Sequence, residues 1–256
     1  MEARAIKRAG AAMASVAILL PALAGCGSSG DEPTSGGQPG SNTFPQSTEP
    51  ANVDPDDFTT EIGNPYFPLP VGAQWRVRVT NQEGAVQHQV ITVTDRTKRI
   101  ANGVEARVVH DVVREDGKPV EVTDDWYAQD SEGNVWYFGE DTVSFDHGKP
   151  DRSGSFEAGV NGADAGVIMA ARAEAGLTYR EEYYKGHAED RSRVLALDQQ
   201  AEVPFGRFTD VLLTEDYTPV EPDVLEFKLY ARGIGQVLAQ TVSGGSDREE
   251  LISFTK

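Results

Sequence analysis

The sequence predicts an all-β protein: an antiparallel meander forming a strongly curved sheet, a half-barrel or open barrel, behind a disordered, lipid-anchored tether. Three observations predict it. After residue 70, apolar and polar residues alternate in about a dozen short runs, the period of a half-buried strand. Clusters of Gly, Asn, Asp and Pro separate these runs at short intervals, as tight turns require. No segment carries a helical apolar stripe over three turns. The nearest, 163–175, is interrupted by Gly166 and ended by Gly176.

Residues 1–25 read as a signal peptide. Arg4, Lys7 and Arg8 give a positive start, and 11–20 form an apolar stretch too short to span a bilayer. Pro21 ends it, and Leu23-Ala24-Gly25-Cys26 follows with the only cysteine of the chain. This resembles the lipobox of bacterial lipoproteins, in which the cysteine is acylated and becomes the mature N-terminus. The resemblance implies a palmitate-type acyl anchor on Cys26, with the lipid bilayer as partner. The location it implies is the extracytoplasmic face of the cell membrane, in the cell envelope. Lys7-Arg8 is not a twin arginine, which points to the Sec route. Residues 26–60 hold the lipidated cysteine and a Ser/Gly/Pro-rich tether, whose composition does not offset the entropy of ordering.

Residues 61–256 are expected to form one β domain. The run 64–70, with prolines at 65, 68 and 70, is an extended lead-in. Trp75, Val77 and Val79 alternate with Arg76, Arg78 and Thr80, and a second strand is expected over 86–94. Asn102-Gly103 and Asp116-Gly117 are hairpin turns, because both central positions of each tolerate positive φ. The sharpest pattern is the hairpin in which Trp126-Tyr127 and Val135-Trp136-Tyr137-Phe138 flank the turn 130–134. Alternation there places either Trp136 and Phe138 in the core with Tyr137 outside, or the reverse. Further strands are expected at 153–157, 178–184, 191–197, 209–217, 224–230, 236–242 and 249–254. The Gly-rich run 157–169 reads as a loop that covers or lines a barrel mouth, or plugs it with Val167-Ile168-Met169.

The chain has 23 basic and 41 acidic residues, a formal charge of −18. Removal of 1–25 leaves 20 basic and 40 acidic residues. That balance argues against nucleic acid as a partner, because phosphate contacts need a basic surface.

The stretch Asp125-Trp126-Tyr127-Ala128-Gln129-Asp130, with Gly133-Asn134-Val135-Trp136-Tyr137-Phe138-Gly139-Glu140, resembles a family of secreted bacterial lipoproteins. Its members carry a similar lead-in to Asn64-Pro65-Tyr66-Phe67-Pro68-Leu69 and a similar run to Tyr179-Arg180-Glu181-Glu182-Tyr183-Tyr184. They also share a tail like Tyr230-Ala231-Arg232-Gly233-Ile234-Gly235. The resemblance implies a location and a fold, and brings no catalytic residues with it.

No nucleophile elbow, zinc-protease motif or phosphate-binding loop is present, and no cofactor is implied. The candidate ligand-binding residues are Trp126, Tyr127, Trp136, Tyr137, Val167 and Met169, which offer aromatic and apolar surface to a hydrophobic or cell-wall ligand. The candidate metal ligands are Glu140, Asp141, Glu189 and Asp190, two adjacent acid pairs that would bind calcium if their loops met at one rim. Three functions stay open. They are a ligand- or partner-binding module, a hydrolase using two carboxylates, and a purely structural envelope component. The first predicts an apolar volume inside the sheet. The second predicts two acids converging in one cleft.

Overall fold

The structure, a computed structural model, describes residues 44–82, 84–146 and 148–256. The signal segment, Cys26 and most of the tether lie outside the described residues. Among the described residues, sixteen strands carry the fold, with one 3-10 turn at Pro55–Asp57. In chain order they are β1 (Phe58–Thr59), β2 (Gln74–Thr80), β3 (Val86–Arg99), β4 (Glu105–Glu115), β5 (Lys118–Asp130) and β6 (Val135–Asp146). Next come β7 (Lys149–Asp151), β8 (Phe156–Glu157), β9 (Asp164–Met169), β10 (Thr178–Arg180) and β11 (Glu182–Tyr183). The series ends with β12 (Arg191–Val203), β13 (Gly206–Tyr217), β14 (Leu225–Ala231), β15 (Gly235–Ser243) and β16 (Arg248–Thr255).

The expected meander is present and curls into a nearly closed barrel with one unsealed seam. The order around the wall is β10-β12-β13-β14-β15-β16-β2-β3-β4-β5-β6-β9-β11, and the pairings are antiparallel. The C-terminal β16 pairs with β2, matching Leu251 to Val77 and Phe254 to Trp75, so the two ends of the domain close on each other. Most other neighbours are consecutive hairpins. Asp116 and Gly117 both take positive φ, 50° and 78°, as their turn requires. At Asn102-Gly103, the other expected hairpin turn, only Gly103 does (φ 99°). The Asn102 side chain instead accepts from the Val104 amide (3.2 Å), making a longer loop than the two-residue turn expected.

The seam has an unusual construction. β10 pairs with β12 and β11 pairs with β9, yet only Glu181 separates β10 from β11. One continuous segment therefore holds both edges of the sheet. Gly166 on β9 permits this. A Cβ there would lie 2.4 Å from the carbonyl oxygens of Arg180 and Glu181. Arg180, 1% exposed, fastens the joint: it donates to Ala165 O (2.7 Å) and pairs with Asp164 (3.3 Å).

Residues 44–60, which composition alone reads as tether, pack on the barrel. Arg180 donates through its side chain to Ser47 O (2.6 Å) and Glu49 O (2.8 Å), and through its backbone to Pro45 O (2.7 Å). Phe44 meets Tyr179 edge-on. Arg107 ties Thr60 to the bulge of β3, donating to Thr60 O (3.3 Å) and Asp95 O (3.1 Å). The ordering comes from these long-range partners, which local composition does not register.

This segment also explains a departure from alternation in β6. Tyr137 and Phe138 are both 0% exposed, while Trp136 is half-buried. Tyr137 points into the main core inside the barrel. Phe138 sits in a second cluster with Ile100, Val108, Trp126 and Ala158, roofed by Val53 and Phe58 from the N-terminal segment. With both faces of the wall covered, neither neighbour needs to be exposed. The run 157–169 is likewise only in part a loop. Its second half is strand β9, and Val167, Ile168 and Met169 are buried in the core. The weak helical candidate at 163–175 forms no helix.

Candidate functional site

The interior of the barrel has two halves. Toward one end the inner face is apolar and aromatic: Trp75, Val77, Val109, Tyr127, Tyr230, Val237 and Leu251. Toward the other it is polar, with Asp125, Glu181, Glu182, Asp216, Glu226, Lys228 and Glu249 all buried. Lys228 pairs with Asp216 (2.6 Å) and reaches Glu226 (3.7 Å). Asp216 also accepts from Ser192 and Thr214, each at 2.9 Å. Burial opposes the Lys228 charge, but Asp216 and Glu181 beside it raise its pKa well above the usual lysine value.

Burial is the leading influence on the other buried acids. Burial raises Asp125 first, and Asp111 nearby adds to it. Burial likewise raises Glu140, Glu181, Glu182 and Glu226, each reinforced by a neighbouring carboxylate. Asp190 rises to about 6 for the same leading reason. Glu182 is the extreme case: 1% exposed, with neither carboxylate oxygen hydrogen-bonded. The Tyr137 hydroxyl lies 2.9 Å from Asp125 Oδ1 and 3.1 Å from Glu140 Oε2. A hydroxyl has one proton to donate. One of the two contacts is therefore best made by a protonated carboxyl donating to the phenol oxygen.

A cavity of about 110 Å³ lies where the two halves meet. Trp75, Val77, Ile91, Val109, Tyr127, Ile168 and Tyr230 form its apolar wall, and Gln89, Asp111, Asp125, Lys228 and Glu249 its polar wall. Half-buried Phe67, Pro68 and Ile234 stand at its open end. Two separate stretches build that mouth. Buried Asn64 accepts from the amides of Tyr66 (2.9 Å) and Phe67 (3.2 Å) and donates to Gly133 O (3.0 Å), which fixes the lead-in. The tail 230–235 packs on it: Gly233 N donates to Pro65 O (2.7 Å), Arg232 covers the Tyr66 ring, and Trp75 Nε1 donates to Ile234 O (2.8 Å).

An open cleft of about 390 Å³ lies outside the wall, lined by Lys98, Trp126, Glu140, Asp141, Phe156 and Tyr184 and by the tip residues Val160 and Asn161.

The residues singled out from sequence are distributed as follows. Tyr127 lines the inner cavity, and Trp126 the outer cleft with Lys98 over its ring (4.5 Å). Tyr137, Val167 and Met169 are core residues, each 0% exposed. Trp136 donates to Asp130 (2.8 Å). Asp130 also accepts from the amides of Glu132 and Asn134 and from the Asn134 side chain, so its turn is held by its own donors. Glu140 and Asp141 reach the outer cleft, where Asp141 pairs with Arg152 (2.6 Å). Glu189 accepts from the Gly186 amide, whereas Asp190 turns inward. Among the described residues no group of three or more His, Cys, Asp or Glu is placed to hold a metal ion.

Sequence reasoning missed Trp75, Gln89, Asp111, Lys228 and Glu249 as cavity residues. A signal existed for Asp111. It occupies the place of an apolar residue in the period-two series Val109, Asp111, Val113, which marks a polar group on a core-facing side.

No protein-family model matches the chain, and no curated protein matches it. Among solved structures, the chain is similar to a crystal structure described as a "putative lipoprotein" from Parabacteroides distasonis. It is 11% identical, with a TM-score of 0.42, and covers 75% of this chain and 99% of its own.

Proposed function

We propose that this protein is a lipid-anchored, extracytoplasmic binding module that takes a small amphipathic molecule into its barrel. The observation that carries the reading is the inner cavity, which joins an aromatic mouth to a polar floor within one wall of strands. Binding sites of this kind are mostly apolar with a few placed polar groups. At about 110 Å³ the cavity is somewhat smaller than the roughly 150 Å³ that accepts benzene in an engineered core. It holds a head group and the first few atoms of a chain, and the remainder lies between Phe67 and Ile234. The anchor is Cys26, behind the signal segment 1–25.

A hydrolase using Asp125 and Glu140 is less well supported. Burial disfavours the charged form of both, and Asp125 lines the inner cavity whereas Glu140 lines the outer cleft.

Calorimetric titration with 1-octanol tests the cavity. Binding is expected, and Ile91→Trp, which fills the cavity, should abolish it. Val86→Trp, at an exposed position, should leave it intact. Saturable binding that survives Ile91→Trp would place the ligand elsewhere. The anchor is tested separately: Cys26→Ala should shift the protein from the membrane fraction to the soluble fraction.

A further inference from the structure

We propose that Lys228 and Asp216 condense to an intramolecular amide, a self-catalysed cross-link between β14 and β13. The inference is independent of what the cavity binds. It rests on how this one ion pair is set among its neighbours.

The register puts Lys228 opposite Thr214 and Asp216 opposite Glu226, so the lysine reaches its carboxylate diagonally on one buried face. The two side chains are 6% and 7% exposed, and Nζ lies 2.6 Å from Oδ2. Even so, Oδ2 has no partner in hydrogen-bonding geometry. Nζ therefore approaches off the hydrogen-bonding direction, and the contact is not that of a settled lysine–carboxylate hydrogen bond. The other oxygen is held firmly. Oδ1 accepts from the buried hydroxyls of Ser192 and Thr214, each at 2.9 Å. Those hydroxyls stand where the oxyanion of an acyl-transfer intermediate needs donors. Glu226 Oε2, 3.7 Å from Nζ and also without a hydrogen bond, completes the group.

An amine attacks a carboxyl carbon only as the free base. Asp216 and Glu181 raise the Lys228 pKa against burial, which opposes loss of its proton to water. Transfer of that proton to Asp216 is a different step, because it also cancels the Asp216 charge that holds it. Burial favours the neutral forms of Glu181 and Glu226. An ion pair out of water carries a desolvation cost for each ion, and a neutral amine beside a neutral acid escapes it.

In the reaction, Nζ gives one proton to Oδ2 and attacks Cγ, forming the N–C bond. The negative charge gathers on Oδ1, facing the two hydroxyls. A second proton passes from Nζ to Oδ2 through Glu226, which takes one and returns one. The Cγ–Oδ2 bond breaks, Oδ2 leaves as water, and one hydrogen stays on the amide nitrogen. The balance needs no further reagent. Lys228 lines the inner cavity, which gives the water a way out. The bond fastens two neighbouring strands covalently in a chain whose single cysteine, Cys26, cannot form an internal disulfide.

The test is mass spectrometry on the full chain, unfolded in urea and digested with trypsin. Cleavage after Arg207 and Arg232 should release residues 208–232 as one peptide, uncut at Lys228 and lighter by one water. Because 216–228 then form a ring, a single backbone break inside it should separate no fragments. Lys228→Arg keeps a cation but offers no free base, so its peptides should carry their full mass. A full-mass peptide ending at Lys228 in the unsubstituted protein would overturn the proposal. So would a loss of water that persists in Lys228→Arg or maps outside the pair. The measurement on the unsubstituted chain needs no variant, so a substitution that fails to fold does not remove the test.

Discussion

Replacing Glu182 with glutamine should make this protein more stable, and the gain should depend on pH. Glu182 is 1% exposed and neither of its oxygens is hydrogen-bonded. Burial raises its pKa, and Asp190 and Glu181 beside it raise it further. A carboxyl whose folded pKa lies above its unfolded value contributes stability that is fully present below the unfolded value, here 4.5, and lost as pH rises through the folded value. While the folded state keeps the proton and the unfolded chain releases it, the loss is about 1.4 kcal/mol per pH unit. From pH 4.5 to pH 8 that comes to at most about 5 kcal/mol, against less than about 1 kcal/mol at pH 5. Glutamine keeps the shape and removes the titration. Urea unfolding followed by tryptophan fluorescence at pH 5, 6, 7 and 8 should therefore show the variant about 1–5 kcal/mol more stable at pH 8 and nearly equal at pH 5. A variant less stable than its parent at pH 8, or one with an unchanged pH slope, would refute the reasoning.

The other buried acids act in the same direction, so the unsubstituted protein should gain stability from pH 8 to pH 5. It should lose stability again below about pH 4. There Asp124 is protonated, whose pKa Arg96 and His110 hold down against burial, and so is Glu250, held down in the same way by Arg78 and Arg248. Lys228→Met removes the cation beside buried Asp216 and Glu226 and should cost about 3–5 kcal/mol at pH 7, with partial recovery at pH 5 in the same unfolding assay. Gly166→Ala drives a methyl group into the Arg180 and Glu181 carbonyls at the seam; a loss of about 1–3 kcal/mol is expected in thermal melts, against no change for Gly63→Ala, where nothing lies within 4 Å. Arg180→Met should release residues 44–51 from the wall, detected as new cleavage there by limited proteolysis while the barrel stays intact.

Strands and most turns were legible because their signals are local. The period-two run over Trp75–Val79, the aromatic pairs flanking the turn 130–134 and the glycine turns need no distant partner to be read. The direction in which some strands face was not legible. In β14, Leu225, Phe227 and Leu229 alternate with Glu226, Lys228 and Tyr230, and hydropathy alone would bury the leucines. The structure buries the charged set instead, because Lys228 meets Asp216 on β13 and Glu226 faces Thr241 on β15. Those partners are far apart in sequence, and no window along the chain contains them. Glu189-Asp190 failed as a pair for a related reason. Glu189 accepts from a backbone amide at the surface and Asp190 is turned inside, so adjacency in sequence did not mean a shared site. The cavity was legible as an expectation of curvature, but its polar wall comes from five strands and had no linear signature.

The seam bears on how the molecule behaves among its own copies. An open sheet ends in two rows of unpaired amides and carbonyls, which invite a neighbour's strand to add on. Here the two terminal strands are halves of one segment, and Pro45 and Gln46 take up hydrogen bonds along the β10 side. Many such domains crowded on one surface would therefore find little exposed backbone at that joint through which to polymerise.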